Sequence, residues 1–272
     1  MSAPRVSIFD PTGNVTALVE DEIEISAQSA FAAAVMERFP EVEQVGFVRL
    51  PANGERIALR MAGGEFCGNA AMSAAALLLL RRGLESDDRQ RVMIDFSGVG
   101  EAVEVRLRRE EKNLFRSSVR MPPAREITEM SVSVGGVEET LPLVRMQGIS
   151  HVLVTPASRF FAMREDRTAA EETARGLCQA LGADALGLMF LEGEAPRCRL
   201  TPLVFVPGSG TVFWERSCAS GSAAAAMALS ACRGEPVRLE FSEPGGTLSA
   251  ESDVSRGETW LFGTTRLIEE NG

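Results

Sequence analysis

The sequence predicts an α/β protein of the α+β type with two pseudo-symmetric lobes, each a curled, mostly antiparallel sheet around a long helix. Three observations favour this class. Short runs rich in β-branched residues, separated by Gly, Pro and Asn, occur along the whole chain. An Ala-rich segment follows a cysteine once in each half, and 272 residues suffice for two lobes. We expect an N-terminal lobe over residues 1–122 and a C-terminal lobe over residues 123–272.

The strongest motif is a cysteine context that occurs twice. Residues 64–76 are GEFCGNAAMSAAA, and residues 214–225 are WERSCASGSAAA. In each copy an acidic residue precedes a cysteine and a strong helix former follows it, which predicts Cys67 and Cys218 at helix N-termini. Unpaired N–H groups and the helix dipole there favour thiolate over thiol and bind a carboxylate.

Two such helix ends, facing each other, would hold a small acid between two sulfurs. One sulfur would remove the proton from the α-carbon and the other would return a proton to the opposite face, which is cofactor-free racemisation. A single intracellular cysteine is more often a small buried hydrophobic residue. Packing alone does not explain the repetition of the whole context in both halves.

The first half contains two predicted helices. Ser26 is the expected N-cap of the first, which ends at about Phe39 because Pro40 cannot continue it. The second starts after Cys67 and ends near Gly83. The predicted strands of this half are residues 5–9, 15–20, 42–50, 56–61, 91–96, 102–109 and 115–121.

The second half repeats this order. One helix is expected over residues 167–181, with Cys178 in the core, and another follows Cys218. The predicted strands are residues 131–134, 141–147, 151–155, 186–191, 199–206, 211–214, 236–241, 246–251 and 259–262.

Composition excludes several classes of partner. With 45% hydrophobic and 24% charged residues the chain is typical of a globular protein, and its net charge of −10 argues against binding nucleic acid or an anionic membrane. No signal peptide or membrane-spanning run is apparent. Five scattered cysteines without a CxxC pair predict neither a disulfide framework nor a metal site. We expect a cytoplasmic protein, and leave a homodimer open.

Cofactor chemistry has little support in the sequence. The only lysine, Lys112, lies in a charged run that predicts an exposed turn, so a buried pyridoxal Schiff base is not expected. The only histidine, His151, gives little basis for a hydrolase triad or a histidine-rich metal site. No phosphate-binding loop or dinucleotide fingerprint occurs. We therefore expect no cofactor.

The motifs CGNA at residues 67–70 and CASG at residues 218–221 resemble those of the diaminopimelate epimerase-like family. The resemblance covers essentially the whole chain and implies two lobes with a site between them, no cofactor, and acid/base work by two cysteines. Within the family the chain is similar to the histidine racemases of staphylopine-type metallophore pathways. The segments that carry this likeness are residues 11–14 (PTGN), 43–47 (EQVGF), 65–70 (EFCGNA), 214–215 (WE) and 244–246 (PGG).

The resemblance also implies a set of substrate-binding residues. A small amino acid is the expected substrate, because asparagines that would hold the far end of diaminopimelate are missing. His151 would line the site, although a structural role is equally open, and Glu43 would accept a hydrogen bond from an imidazole side chain. The candidates for the ammonium group are Asn14, Gln44, Glu65 and Glu215. The candidates for carboxylate binding through backbone N–H groups are Gly68, Asn69, Ala219, Ser220 and Gly221.

Other functions remain open at this point. The chain could be diaminopimelate epimerase itself or another racemase or isomerase of this fold. A branch resembling the phenazine-pathway isomerases uses a glutamate in place of the first thiol, so Cys67 counts against it. From a different class, the chain could be a non-catalytic amino-acid-binding protein or a thiol redox sensor.

Overall fold

A computed structural model describes residues 4–52, 56–83, 89–97, 99–208 and 210–271. The chain forms two compact units. The first consists of Met1–Arg120 together with Leu261–Gly272, and the second is Met121–Trp260. The boundary between them lies two residues before the predicted one at residue 122, and the segment from Leu261 onward belongs to the first unit.

Each unit combines several strands with two α-helices. The strands are β1 (Val6–Asp10), β2 (Thr16–Val19), β3 (Gln44–Arg49), β4 (Ile57–Met61), β5 (Gln90–Phe96), β6 (Val103–Glu111), β7 (Leu114–Arg120), β8 (Glu126–Val134), β9 (Val137–Arg145), β10 (Ser150–Val154), β11 (Leu186–Glu194), β12 (Arg197–Val206), β13 (Thr211–Trp214), β14 (Val237–Glu243), β15 (Gly246–Asp253) and β16 (Glu258–Asn271). The helices are α1 (Ile25–Arg38), α2 (Gly68–Arg81), α3 (Arg167–Leu181) and α4 (Ala219–Arg233), with a short 3₁₀ helix at Arg159–Glu165.

The first unit is a closed eight-stranded barrel around α2. Its strand order is β1-β2-β3-β4-β5-β6-β7-β16, and β16 pairs with β1 to complete the ring. Helix α2 packs against β1, β2, β4, β6 and β7, and it is buried from Gly68 to Leu79. Because its side chains up to Ala76 are mostly alanine or smaller, strands can approach this helix from all sides.

The second unit is a sheet with a helix on each face. Its strand order is β15-β14-β12-β11-β10-β9-β8, with β13 added beside β12. Helix α3 covers one face, where Val152, Leu188 and Phe190 join its core. Since side chains alternate between faces, His151 and Met189 belong to the other face, against which α4 packs.

The predicted class is confirmed, and several element boundaries differ from those expected. Helix α1 begins at Ile25 with Glu24 as its N-cap, so Ser26 is not the cap. The last strand, predicted over residues 259–262, extends to Asn271. Strand β8 begins at Glu126, earlier than predicted, because its polar first half lacks a strong strand signal. Within the described residues, every helix falls short of the length and apolar character needed to cross a membrane.

Candidate active site

Cys67 is the N-cap of the buried helix α2. Its backbone is extended (φ −135°, ψ 113°), and its Sγ accepts a hydrogen bond from the Ala70 N–H at 3.4 Å, as an N-cap side chain should. An α-helix has no internal acceptor for its first N–H groups, and Cys67 Sγ accepts from that of Ala70. The N–H groups of Gly68 and Asn69 precede it in the same turn and remain suited to binding an anion.

A directional chain of hydrogen bonds holds the Cys67 sulfur. Cys67 Sγ donates to Gln44 Oε1 at 3.1 Å, and Gln44 Nε2 donates to Thr16 Oγ1 at 2.8 Å. The Thr16 hydroxyl then donates to the Asn14 carbonyl at 3.0 Å. This chain fixes which end of the Gln44 amide faces the sulfur. It brings together three predicted residues and Thr16, which sequence reasoning missed because threonine is ordinary in a strand.

The loop that carries Asn14 is tied to strand β16. Thr12 adopts a left-handed conformation (φ 62°), rare for a β-branched residue. Its hydroxyl donates to the Thr264 carbonyl and accepts from the Thr264 N–H, both at 3.0 Å. Asn14 is 3% exposed at the end of this loop. The two bonds to Thr264 offset the strain and set the position of Asn14.

Two buried oxygens near Cys67 are ready to accept a hydrogen bond. Asn69 Oδ1 and Glu65 Oε2 have no partner among the residues that the structure describes. Burial raises the pKa of Glu65, while a backbone hydrogen bond and the charge of Arg60 lower it. Unsatisfied buried oxygens are costly, so both are consistent with a bound donor such as an ammonium group.

Glu43 lies immediately before β3, next to Gln44. It is half-buried, and its N–H donates to the Val15 carbonyl at 2.9 Å. This bond fixes the backbone of Glu43 close to the loop that carries Asn14. The predicted neighbours Asn14, Glu43 and Gln44 are thus brought together by β2 and β3.

Cys218 repeats the geometry of Cys67 at the start of α4. It is the N-cap with an extended backbone (φ −124°, ψ 98°), and its Sγ accepts from the Gly221 N–H at 3.4 Å. The Ser220 hydroxyl lies 3.6 Å from the same sulfur. Since the Gly221 N–H is occupied by this sulfur, the N–H groups of Ala219 and Ser220 are the better candidates for a substrate carboxylate.

The surroundings of Cys218 favour the thiol. Burial is the main factor that raises the pKa of Cys218, and the charge of Glu215, its hydrogen bond to the thiol and the charge of Glu243 raise it further. The Ser220 hydroxyl opposes them only weakly. These contributions oppose the thiolate that a helix N-terminus favours, so Cys218 suits the thiol member of the expected pair of one thiol and one thiolate.

Glu215 is held by the strand that precedes it. Its N–H donates to the Pro202 carbonyl at 3.1 Å. The neighbouring Trp214 stacks on Phe190 with 6.1 Å between ring centroids, and its Nε1–H donates to Glu171 at 3.0 Å. The Trp214 ring anchors the end of β13 to α3. Glu215 follows Trp214 directly, so its backbone is held where the carboxylate can hydrogen-bond to the Cys218 thiol.

His151 lies buried within the second unit. It pairs with Gly187 across β10 and β11, and its Nδ1 lies so close to that glycine that a Cβ there would clash. Met189 contacts both Gly187 and Gly221 of α4. Burial lowers the pKa of His151 to about 3, so the ring is neutral. Neither ring nitrogen has a hydrogen-bond partner among the described residues.

Comparison with known proteins places these features in a family. The sequence profile described as "Histidine racemase CntK N-terminal domain" matches residues 6–262. The chain belongs to this histidine racemase family. The match spans both cysteine motifs and nearly all of both units.

Relatives and solved structures agree with the histidine racemase family. The histidine racemase of Fusobacterium nucleatum is 28% identical over 269 residues, which cover 96% of this chain and 93% of the relative. That of Staphylococcus aureus is 26% identical over 251 residues, 90% of this chain and 87% of the relative. A probable proline racemase from Agrobacterium radiobacter K84 superposes with a TM-score of 0.69 at 13% identity, over 99% of this chain and 92% of that chain. That likeness shows a shared fold.

Proposed function

We propose that this protein is a cofactor-independent histidine racemase in which Cys67 and Cys218 are the two bases. The observation that carries the proposal is that each cysteine is the N-cap of an Ala-rich helix, within a chain that belongs to the histidine racemase family. A helix N-terminus supplies a carboxylate site next to the sulfur that handles the α-proton.

The two sulfurs take different roles in this mechanism. Cys218 rests as the thiol, because burial and acidic neighbours oppose its ionisation. The Cys67 thiol, which donates to Gln44 Oε1, first loses this proton to solvent. The resulting thiolate removes the α-proton from one enantiomer, while Cys218 returns a proton to the opposite face of the carbon. Gln44 orients the first sulfur and Glu215 the second. In the reverse direction the roles exchange, since the protonation states of the two sulfurs have exchanged.

The remaining polar groups are assigned to the ends of the substrate. The N–H groups of Gly68, Asn69, Ala219 and Ser220 bind the carboxylate and stabilise charge that develops at the α-carbon. Glu65, whose buried oxygen has capacity to accept, and Glu215 receive the ammonium group. Glu43 accepts a hydrogen bond from the substrate imidazole.

A cytoplasmic location completes the proposal. All five cysteines are free thiols in the structure. The proposed chemistry needs Cys67 and Cys218 reduced, because a disulfide between them would remove both the base and the acid.

The decisive experiment follows the α-proton of L-histidine in D₂O. We expect D-histidine to form, with deuterium at the α-carbon, in the purified protein without added cofactor. Cys67→Ser and Cys218→Ser should each abolish racemisation, because one of the two proton transfers is lost. Racemisation at the unaltered rate by either variant would contradict the two-base assignment.

A matched control is available on the same helix as Cys218. Cys232 is exposed near the end of α4, so Cys232→Ser should keep the full rate. Parallel assays with diaminopimelate and with proline test the side-chain assignment. If either amino acid is turned over as fast as histidine or faster, that amino acid is the better substrate, and the proposed roles of the two cysteines are unchanged.

A further inference from the structure

Glu243 occupies an inward position at the end of β14. Val237, Leu239 and Phe241 are buried along this strand while the residues between them are exposed, and Glu243 continues the buried series at 7% exposure. A carboxyl group at such a position costs free energy unless it is hydrogen-bonded. Sequence reasoning missed Glu243, although the alternation of β14 extended by one step predicts it inside.

Both oxygens of Glu243 bind the first turn of α4. Oε2 accepts the Cys218 N–H at 2.6 Å, and Oε1 accepts the Ser222 hydroxyl at 2.6 Å. The turn after β14 holds the approach to the same cysteine, since the Gly245 N–H donates to the Arg216 carbonyl at 2.6 Å. Residues 216–222 are therefore attached to the β14–β15 hairpin by both its backbone and the Glu243 side chain.

We propose that Glu243 is a positioning residue that fixes the first turn of α4 and holds Cys218 as the thiol that donates the proton. The donor role rests on the proposed function. The effect of Glu243 on the Cys218 sulfur does not, because it follows from contacts within the second unit.

The charges around this turn explain the direction of the effect. Burial raises the pKa of Glu243 to about 8, so above that pH its negative charge opposes ionisation of Cys218. Glu215 acts on Cys218 in the same sense through its charge and its hydrogen bond. His151, on a strand that also packs against α4, is neutral. Removing Glu243 should thus ease ionisation of Cys218 even though Glu215 remains.

The test measures ionisation at the sulfur directly. Protein labelled with [3-¹³C]cysteine is titrated from pH 6 to pH 11, and the Cβ resonance of Cys218 is identified by its loss in Cys218→Ser. In Glu243→Gln, which keeps an acceptor and the side-chain shape, the midpoint should move at least about one pH unit lower. The matched control Glu240→Gln alters an exposed carboxylate on the same strand and should leave the midpoint unchanged. An unchanged midpoint in Glu243→Gln overturns the proposal.

A second measurement needs no substitution and decides the matter if Glu243→Gln does not fold. In the unaltered protein the Cys218 Cβ resonance should show a small step near pH 8, where Glu243 ionises, before its main transition. A single transition without that step overturns the proposal. Failure of the proposed function would appear separately, as absence of deuterium exchange at histidine while both titration results stand.

Discussion

At the scale of single residues, the site depends on the direction in which hydrogen bonds run. Thr16 is fully buried and accepts from Gln44, which in turn accepts from the Cys67 thiol. If the acceptor on Thr16 is lost, the part-buried Gln44 amide no longer has this acceptor and reorients to find another. Cys67 Sγ then loses its hydrogen bond to Gln44 Oε1, which fixes the position of the sulfur.

Thr16→Val tests this dependence with little change in shape. We expect the free energy of unfolding to fall by about 1–3 kcal/mol, because the part-buried Gln44 amide loses the hydroxyl that accepts from it. The rate of α-proton exchange should fall about 10- to 100-fold, because the sulfur is misplaced. Thr16→Ser keeps the hydroxyl and should retain most of the rate. Similar exchange rates in the valine and serine variants would rule out the role of this hydroxyl.

Much of the site was predictable from residue types, and its electrostatics was not. The duplicated context of Cys67 and Cys218 indicated helix N-termini, and both cysteines are N-caps. The protonation preference of Cys218 depends on Glu215 and Glu243, and the latter lies 25 positions away in sequence. Sequence shows that a carboxylate exists, but only the fold places it beside a thiol.

At the scale of secondary-structure elements, the C-terminal end of α2 is held by one arginine. Arg81 binds both oxygens of Glu20, at 2.9 and 2.5 Å, and also contacts Glu270 at 2.6 Å and Ser7 at 3.1 Å. These groups belong to different parts of the barrel wall. A guanidinium that binds Glu20 through two nitrogens therefore links the enclosed helix to the strands around it.

Arg81→Met should weaken this link at a measurable cost. We expect the midpoint of urea unfolding to drop, with a loss of about 1–3 kcal/mol, because Glu20 is nearly buried and would keep only the longer contact with Arg5 at 3.9 Å. The adjacent Arg82 is exposed, so Arg82→Met should change stability by less than about 0.5 kcal/mol. Equal losses of unfolding free energy in the two variants would show that the contacts of Arg81 do not stabilise the barrel.

Element prediction worked where hydrophobic patterning was strong. Helix α3 and strand β13 have the bounds expected from sequence, Arg167–Leu181 and Thr211–Trp214. Strand β16 was found only in part, because residues 263–271 are mostly polar and carry little strand signal. Pairing with β1 stabilises this part of β16 as a strand although its own residues have little preference for one.

At the scale of the whole molecule, the only histidine gives stability a defined pH dependence. The pKa of His151 is about 3 in the folded chain and about 6.5 when unfolded, so the unfolded chain binds the extra proton between these values. The stability that neutral His151 contributes is fully present above pH 6.5 and is lost as pH falls towards 3. Glu243 acts in the opposite sense, since its raised pKa makes stability fall as pH rises from 4.5 to about 8.

Comparison with His151→Phe isolates the histidine contribution. The difference in free energy of unfolding between the unaltered protein and this variant should be constant above pH 6.5. Below that pH it should change against the unaltered protein by about 1.4 kcal/mol per pH unit. Urea unfolding at several pH values measures it. A difference that does not vary between pH 4 and pH 7 would show that the folded chain accepts the proton.

The pairing of β1 with β16 also determines when the barrel can form during synthesis. Residues 6–10 are synthesised more than 250 residues before their partners, residues 266–271. The barrel therefore cannot close until residues 266–271 have been synthesised, and before then the outer edges of β1 and β7 lack the strand that pairs with both. Chaperones that shield exposed strand edges would find their substrate in that interval.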